Sequence, residues 1–163
     1  MAQNENVTKN DIIDIMRGKS VGMLTTVGGG GSLYSHPMDT QQVTDDGDVY
    51  FVVGTNSDQA RWLQDSPQVN MAYSDAGSWL SVTGKVRFLE GEERAAKIEQ
   101  LWDESMTAFF SGKDDPNIGV MLLSSESAQF WGNKDGRAAA LFDLVKTRLT
   151  GQEPEGDTAT VDL

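Results

Sequence analysis

One segment, residues 32–62, constrains the fold more than any other part of the chain. Residues 33–43 predict a β-strand, and residues 49–53 predict a second strand whose continuously apolar side chains are buried on both faces. Between them lies Asp45-Asp46-Gly47-Asp48, and an Asp-Gly pair between two strand-like runs is a strong hairpin signal. A short helix capped by Asn56 or Ser57 is expected to follow through residue 65.

Two features of this segment indicate a place for a ligand. Pro37 has no N–H to donate to a ladder, so its strand is expected at an edge, at a bulge or where the sheet parts. The polar loop 54–57 leads from a strand into a helix, and the first N–H groups of a helix lack internal partners. The sequence therefore predicts a phosphate-holding loop beside an interrupted strand that carries His36, the only histidine.

The rest of the chain alternates hairpin-connected strands with helices at the margins. Strands are predicted over 21–27, 68–74, 79–89 with a kink or bulge at Gly84, and 118–131. Helices are predicted over 8–17, 92–102 and 137–149, with a helical turn over 105–110. We expect a mainly β (α+β) fold, a barrel of six antiparallel strands with flanking helices in a single domain over residues 1–150. Residues 151–163 are expected to form an acidic, disordered tail.

Composition narrows the classes of function. The net charge of −12 disfavours a nucleic-acid partner, because phosphate backbones require a basic face. The absence of cysteine excludes disulfides and thiolate metal sites, and a single histidine disfavours an ordinary zinc site, so no metal is expected. No apolar run is long enough for a transmembrane helix, and residues 1–11 lack the apolar stretch of a signal peptide. A cytoplasmic protein without a membrane partner is the simplest interpretation.

An ordered set of short motifs resembles the pyridoxamine 5′-phosphate oxidase-like split barrel, and within it the general stress protein branch, whose members bind flavin mononucleotide (FMN). The resemblance runs from about residue 11 to residue 132. No single motif is specific, and the order and spacing carry the likeness. The motifs are Val21-Gly22-Met23-Leu24-Thr25-Thr26, Ser35-His36-Pro37-Met38, Val49-Tyr50-Phe51, Ser57, Ser66-Pro67-Gln68-Val69, Val82-Thr83-Gly84-Lys85-Val86 and Ala128-Gln129-Phe130-Trp131-Gly132.

This resemblance implies a homodimeric split barrel with two FMN sites at the dimer interface. It implies an FMN-binding protein that is either an oxidoreductase of low activity or not an enzyme, and it indicates no catalytic residue. Trp131 is equally consistent with a core or interface side chain and with a residue that closes the site. The implied cofactor-binding positions are Ser35, His36, Pro37, Met38, Val53, Gly54, Ser57, Gln59 and Trp131.

The chain departs from the family at the phosphate-binding cations. Where the family places Arg or Lys, this sequence has His36, Gln41, Asp58 and Gln59. A charge-assisted hydrogen bond to phosphate contributes roughly 1.5–3 kcal/mol, so losing two or three weakens binding by several powers of ten unless other groups compensate. Arg61 can compensate or lie on the surface. His36 can contact the cofactor, in a pH-dependent way, or be a structural strand histidine. The alternative is a split-barrel dimer that has lost FMN and binds deazaflavin, haem or no cofactor.

Overall fold

A computed structural model describes residues 7–75, 78–132 and 157–163. Within them, one antiparallel sheet is flanked by three α-helices and two 3₁₀ turns, Gly29–Gly31 and Glu104–Ala108. The helices are α1 (Lys9–Arg17), α2 (Asp58–Asp65) and α3 (Gly91–Leu101). The strands are β1 (Val21–Val27), β2 (Leu33–Asp39), β3 (Gln42–Val43), β4 (Val49–Gly54), β5 (Gln68–Asp75), β6 (Ser78–Phe88), β7 (Ile118–Gly132) and β8 (Asp157–Asp162).

The sheet curls into a half-barrel, as the sequence predicts. Its strand order is β2-β1-β5-β6-β7-β4-β3, with β8 on the remaining edge of β7. β2 and β3 are consecutive in the chain, yet they stand at opposite ends of this order. Only Thr40 and Gln41 connect them, and their N–H groups donate to Ser20 and Tyr50 carbonyls at 2.6 and 3.0 Å. The two ends of the sheet are therefore joined by the connecting residues and not by hydrogen bonds between strands. This leaves a split in the barrel wall beside β2.

The prediction of six strands is wrong, because the described residues form eight. The stretch 33–43 divides into β2, which pairs with β1, and β3, which pairs with β4. Pro37 lies in β2, the terminal strand of the order, so its missing N–H disrupts no second ladder. The prediction that the sheet parts or ends near Pro37 is confirmed.

The second additional strand lies in the segment 151–163 that was predicted to be disordered, and over residues 157–162 the structure differs from that prediction. Asp157–Asp162 form β8, which pairs with β7 from Ser127 to Gly132. On this side of β7 the pairing with β4 ends at Leu123, which leaves the distal backbone groups of β7 in need of partners. Leu163 follows and packs against the barrel core. The helix predicted over 137–149 lies outside the described residues.

Local sequence signals placed the other elements within about two residues, as is usual for helix and strand ends. Thr8 and Asp11 form a capping box at α1, and the Ser57 hydroxyl accepts the Ala60 N–H at the start of α2. β6 bulges at Thr83/Gly84, as predicted. A Cβ at Gly84 would lie 2.1 Å from the Ser124 carbonyl oxygen, so only glycine fits there.

Two apolar clusters cover opposite faces of the sheet. The larger fills the barrel and includes Val49 and Phe51 of β4. The smaller lies under α3, where Ile98 packs with buried residues of β7 and with the half-buried Tyr50 and Val52. The apolar run of β4 is thus explained by packing on both faces. None of the described helices is long and apolar enough to cross a membrane.

Candidate functional site

A cavity of about 670 Å³ opens at the split of the barrel. Its walls come from the end of β2, the carboxyl end of β4, the first turns of α2 and the 3₁₀ segment after α3. The lining residues are Pro37, Met38, Asp39, Gln41, Val52, Val53, Gly54, Ser57, Gln59, Ala60, Leu63, Phe88, Asp103, Ser105, Met106, Phe109, Phe110 and Asn117. The cavity therefore lies where the sequence predicted a strand-to-helix loop beside an interrupted strand.

The polar side of the cavity is the loop between β4 and α2. Ser57 closes this loop, since its hydroxyl donates to the Gly54 carbonyl at 3.2 Å and accepts the Ala60 N–H at 3.1 Å. Asn117, the residue before β7, holds the same loop: its backbone carbonyl accepts the Thr55 N–H and its side-chain oxygen accepts the Asn56 N–H, both at 2.9 Å. The loop is thus fixed at both ends before a ligand arrives.

Gln59 is the polar lining group that most clearly lacks a partner. Its Nε2 atom is buried, and no acceptor is within hydrogen-bond range of it among the described residues. A buried donor without an acceptor costs roughly 1–3 kcal/mol. A ligand acceptor in the cavity would remove that cost, so this amide is a natural anchoring point.

The opposite side of the cavity is apolar and aromatic. Met106 is buried, while Phe109 is 83% exposed, which is unusual for a phenylalanine. Pockets for small ligands are mostly apolar, with a few placed polar groups, and an exposed aromatic ring at the rim suits a planar ligand. The apolar lining side chains are Met38, Val52, Val53, Leu63, Phe88, Met106, Phe109 and Phe110.

The charge of the lining is negative. Asp39 and Asp103 are the ionisable side chains among the described lining residues, and none of those residues is Lys, Arg or His. Hydrogen bonds from Ser105, through its side chain and its backbone N–H (2.9 Å), hold the pKa of Asp103 below its usual value, so this carboxylate is charged at neutral pH. Asp39 accepts a hydrogen bond from Gln41 Nε2 at 3.0 Å.

The structure brings six of the nine predicted cofactor positions to this cavity: Pro37, Met38, Val53, Gly54, Ser57 and Gln59. Ser35, His36 and Trp131 do not line it. Ser35 shares a hydrogen bond with the Thr25 hydroxyl at 2.7 Å. The substituted family positions divide likewise: Gln41 lines the cavity, whereas Asp58 is exposed and forms an ion pair with Arg61.

His36 and Trp131 lie on opposite faces of the sheet. His36 pairs with Leu24, so both point toward the barrel interior, and His36 Nε2 is buried with no partner among the described residues. Trp131 is half-buried and pairs with Trp79 on the outer face. Neither side chain reaches the cavity of its own chain.

The fold and this cavity can be compared with known proteins. Residues 7–155 match the model of the family described as "Pyridoxamine 5′-phosphate oxidase like". The chain belongs to this family. General stress protein 26 of Bacillus subtilis (strain 168) is 25% identical over 128 residues, which cover 76% of this chain and 87% of the relative.

Three solved structures share the split-barrel fold of this chain. A candidate general stress protein 26 from Jannaschia sp. CCS1 superposes with a TM-score of 0.73 at 23% identity, covering 94% of this chain and 97% of its own. A pyridoxamine 5′-phosphate oxidase-related, FMN-binding protein from Nostoc punctiforme PCC 73102 reaches 0.63 at 12%, covering 94% and 93%. A haem-binding protein from Mycobacterium smegmatis reaches 0.62 at 17%, covering 92% and 56%. At these identities the likeness shows the fold alone.

The sequence did not predict one wall of this cavity. It placed Met106, Phe109 and Phe110 on a helical turn, but nothing in the sequence shows that residues 103–110 fold back on the β4–α2 loop. Asn117 was missed as well, although an Asn between Pro116 and an apolar strand is a typical turn residue. Among the described residues, no three His, Asp or Glu side chains form a group that could hold a metal ion.

Proposed function

We propose that this protein binds a flavin of the FMN class in the cavity between β4, α2 and residues 103–110, in a homodimer with oxidoreductase activity of low rate. The observation that carries the proposal is the unpartnered, buried Gln59 Nε2 beside an aromatic wall. Gln59 is also one of the positions that the family resemblance assigned to the cofactor. The volume of the cavity, about 670 Å³, lies within the roughly 300–1,000 Å³ typical of small-molecule sites.

The lining fits the two neutral parts of a flavin and not the charged one. Phe88, Phe109 and Phe110 offer apolar surface for a planar ring. The Gln59 amide offers neutral hydrogen bonds to ring oxygens or to the ribityl chain. None of the described lining residues offers a cation to a phosphate. When bound, a flavin supplies hydride and electron transfer, and the chain's residues bind it, orient it and exclude water.

The homodimer is supported by exposed apolar side chains on the outer face of the sheet. Ladder register places Val21, Met23, Leu33 and Trp79 on this face, and they are 55%, 42%, 71% and 54% exposed. A monomer rarely exposes such a patch without a partner. Pro37 and Asp39 belong to the same face and also line the cavity, so the cavity reaches the surface that a second copy would cover.

This arrangement gives Trp131 a role in the proposed dimer. It shares the outer face with Trp79, away from the cavity of its own chain. In a dimer formed through this face, the partner subunit's Trp131 approaches the cavity mouth. The two compatible interpretations of Trp131, an interface side chain and a residue that closes the site, would then both hold.

The test of flavin binding is direct. The purified protein is examined for flavin absorbance, and FMN and riboflavin are then titrated while flavin fluorescence anisotropy is followed. We expect saturable binding that falls about two- to tenfold in Gln59→Ala, since a typical hydrogen bond contributes roughly 0.5–1.5 kcal/mol. Gln64→Ala, on the exposed side of α2, is the matched control. Absence of binding to either flavin would contradict the proposal.

The test of the dimer is light scattering on the same protein. Met23→Glu places a charge in the outer face and should convert dimer to monomer, whereas Gln64→Glu should not. A wild-type protein that is monomeric at high concentration would rule out the homodimer.

The second candidate function is a split-barrel dimer without a flavin. The two carboxylates favour it, and so does the lack of a cation among the described lining residues, since the family places Arg or Lys at such positions. The same spectra decide: a Soret band would indicate haem, a deazaflavin has its own absorbance, and a colourless protein without flavin binding would leave a cofactor-free binding module.

A further inference from the structure

The charges around the cavity bear on which flavin it takes. We propose that the cavity holds its ligand by the ring and the polyol alone, and that it binds an uncharged flavin such as riboflavin at least as tightly as the phosphate-bearing FMN. This inference rests on the proposed flavin site and depends on the side chains that replace the family's cations.

The electrostatic field in the cavity opposes a phosphate. A phosphate monoester carries about −1.5 to −2 charges at neutral pH. The two charged lining groups, Asp39 and Asp103, have the same sign. Hydrogen bonding from Ser105 keeps the pKa of Asp103 low, so this carboxylate remains charged when a ligand arrives.

The helix terminus does not replace the missing cations. The N-terminus of α2 carries roughly half a positive charge from aligned peptide dipoles. However, Asp58 occupies its first turn, and the Ser57 hydroxyl already accepts the Ala60 N–H. An anion at this end therefore meets a site whose positive potential is partly neutralised by the chain itself.

Two arginines on neighbouring elements, Arg61 and Arg87, are held by carboxylates outside the cavity. Arg61 of α2 forms an ion pair with Asp58 on the surface. Arg87 of β6 makes a bidentate pair with Glu93, at 2.7 and 3.0 Å. Neither Arg61 nor Arg87 lines the cavity, and recruiting either one to a phosphate would break an existing pair.

The neutral groups of the cavity match an uncharged ligand. Gln59 offers a buried N–H without an acceptor, which suits a carbonyl or hydroxyl oxygen. The aromatic lining side chains offer surface for the ring, and this contribution is the same for FMN and riboflavin. The phosphate of FMN therefore adds repulsion and no compensating contact.

The experiment compares FMN and riboflavin binding to the full chain by fluorescence anisotropy, from about 0.01 M to about 1 M salt. We expect riboflavin to bind as tightly as FMN or tighter at low salt. Screening should strengthen FMN binding as salt rises and leave riboflavin binding nearly unchanged. FMN binding tenfold tighter than riboflavin, and weakening with salt, would overturn this inference and leave the proposed flavin site intact. Failure of both ligands would overturn both.

Charge-changing variants locate the effect. Gln59→Lys should strengthen FMN binding by about tenfold or more, the scale of one charge-assisted hydrogen bond, without strengthening riboflavin binding. Asp103→Asn, which keeps an acceptor for the Ser105 N–H, should strengthen FMN binding by about two- to fivefold through the same loss of repulsion. Gln64→Lys adds a charge on the exposed side of the same helix and should leave the binding of both FMN and riboflavin nearly unchanged. Equal gains from Gln59→Lys and Gln64→Lys would contradict a phosphate site at the start of α2.

Discussion

On β4, Val49 and Phe51 point into the barrel and are fully buried, whereas Tyr50 and Val52 point outward and are half-buried. The inner side chains contact the cluster that closes the barrel. The outer ones are covered by α3 at one end of the strand, and at the other end Val52 lines the cavity, together with Val53, which also packs against the barrel core. Over most of the strand, the inner face therefore stabilises the fold, and only the carboxyl end leaves room for a ligand.

The strongest test of this comparison is truncation of one phenylalanine on each side. Phe51→Ala, inside the barrel, should lower the free energy of unfolding by about 3–5 kcal/mol, because it removes contacts and leaves a cavity. Phe109→Ala, at the open cavity, should change it by less than about 0.5 kcal/mol and should weaken flavin binding instead. Denaturant titrations measure the first effect and anisotropy the second. Similar losses of stability in both variants would contradict the division.

A second test concerns the close approach of strands on the inner side. Gly84→Ala places a Cβ 2.1 Å from the Ser124 carbonyl oxygen and 2.9 Å from Leu123 Cδ1. Backbone must shift to accept it, so we expect a loss of about 1–3 kcal/mol. Gly112→Ala, on the loop before β7, meets nothing within 4 Å and serves as the control. A neutral Gly84→Ala variant would show that the bulge in β6 tolerates a side chain.

The smallest expected effect concerns the hydrogen bonds that hold the β4–α2 loop in place beside the cavity. Asp115 accepts hydrogen bonds from Ser111 and from the Asn117 N–H at 2.8 Å, and Asn117 in turn holds the β4–α2 loop. The backbone N–H of Ser111, then that of Asn117, lower the pKa of Asp115 below its ordinary value of 3.8. Because the pKa of Asp115 is lower in the folded chain than in the unfolded chain, the stabilisation is fully present above the unfolded-state pKa. It is lost as the pH falls through the folded-state pKa.

We therefore expect amide exchange at Thr55 and Asn56 to become faster, relative to its intrinsic rate, as pH falls below about 3.8. Asp115→Asn should show faster exchange at neutral pH and little further change on acidification. Unchanged protection of these two amides in Asp115→Asn would show that Asn117 needs no support from Asp115.

Much of the fold could be predicted because its signals are local. Capping at Ser57, the Asp-Gly turn before β4 and the glycine bulge in β6 each act within a few residues, and each was confirmed. The division of 33–43 into β2 and β3 was not predicted, because only the curl of the whole sheet sends the two halves to different partners. β8 was not predicted either. Its acidic segment pairs with β7 only because β7 extends beyond its pairing with β4 and leaves backbone groups free on that side.

The candidate site likewise has parts that local sequence signals predict and parts that only the tertiary structure sets. The sequence by itself determined the loop that follows β4, with Ser57 as a cap and Gln59 in place of a cation, because these are properties of residue type and order. Only the tertiary structure decided that Asp103 and Phe109 face that loop across a cavity, and that Trp131 pairs with Trp79 and points away from it. These are contacts between segments distant in sequence, and they follow from strand pairing and packing, which no local pattern records.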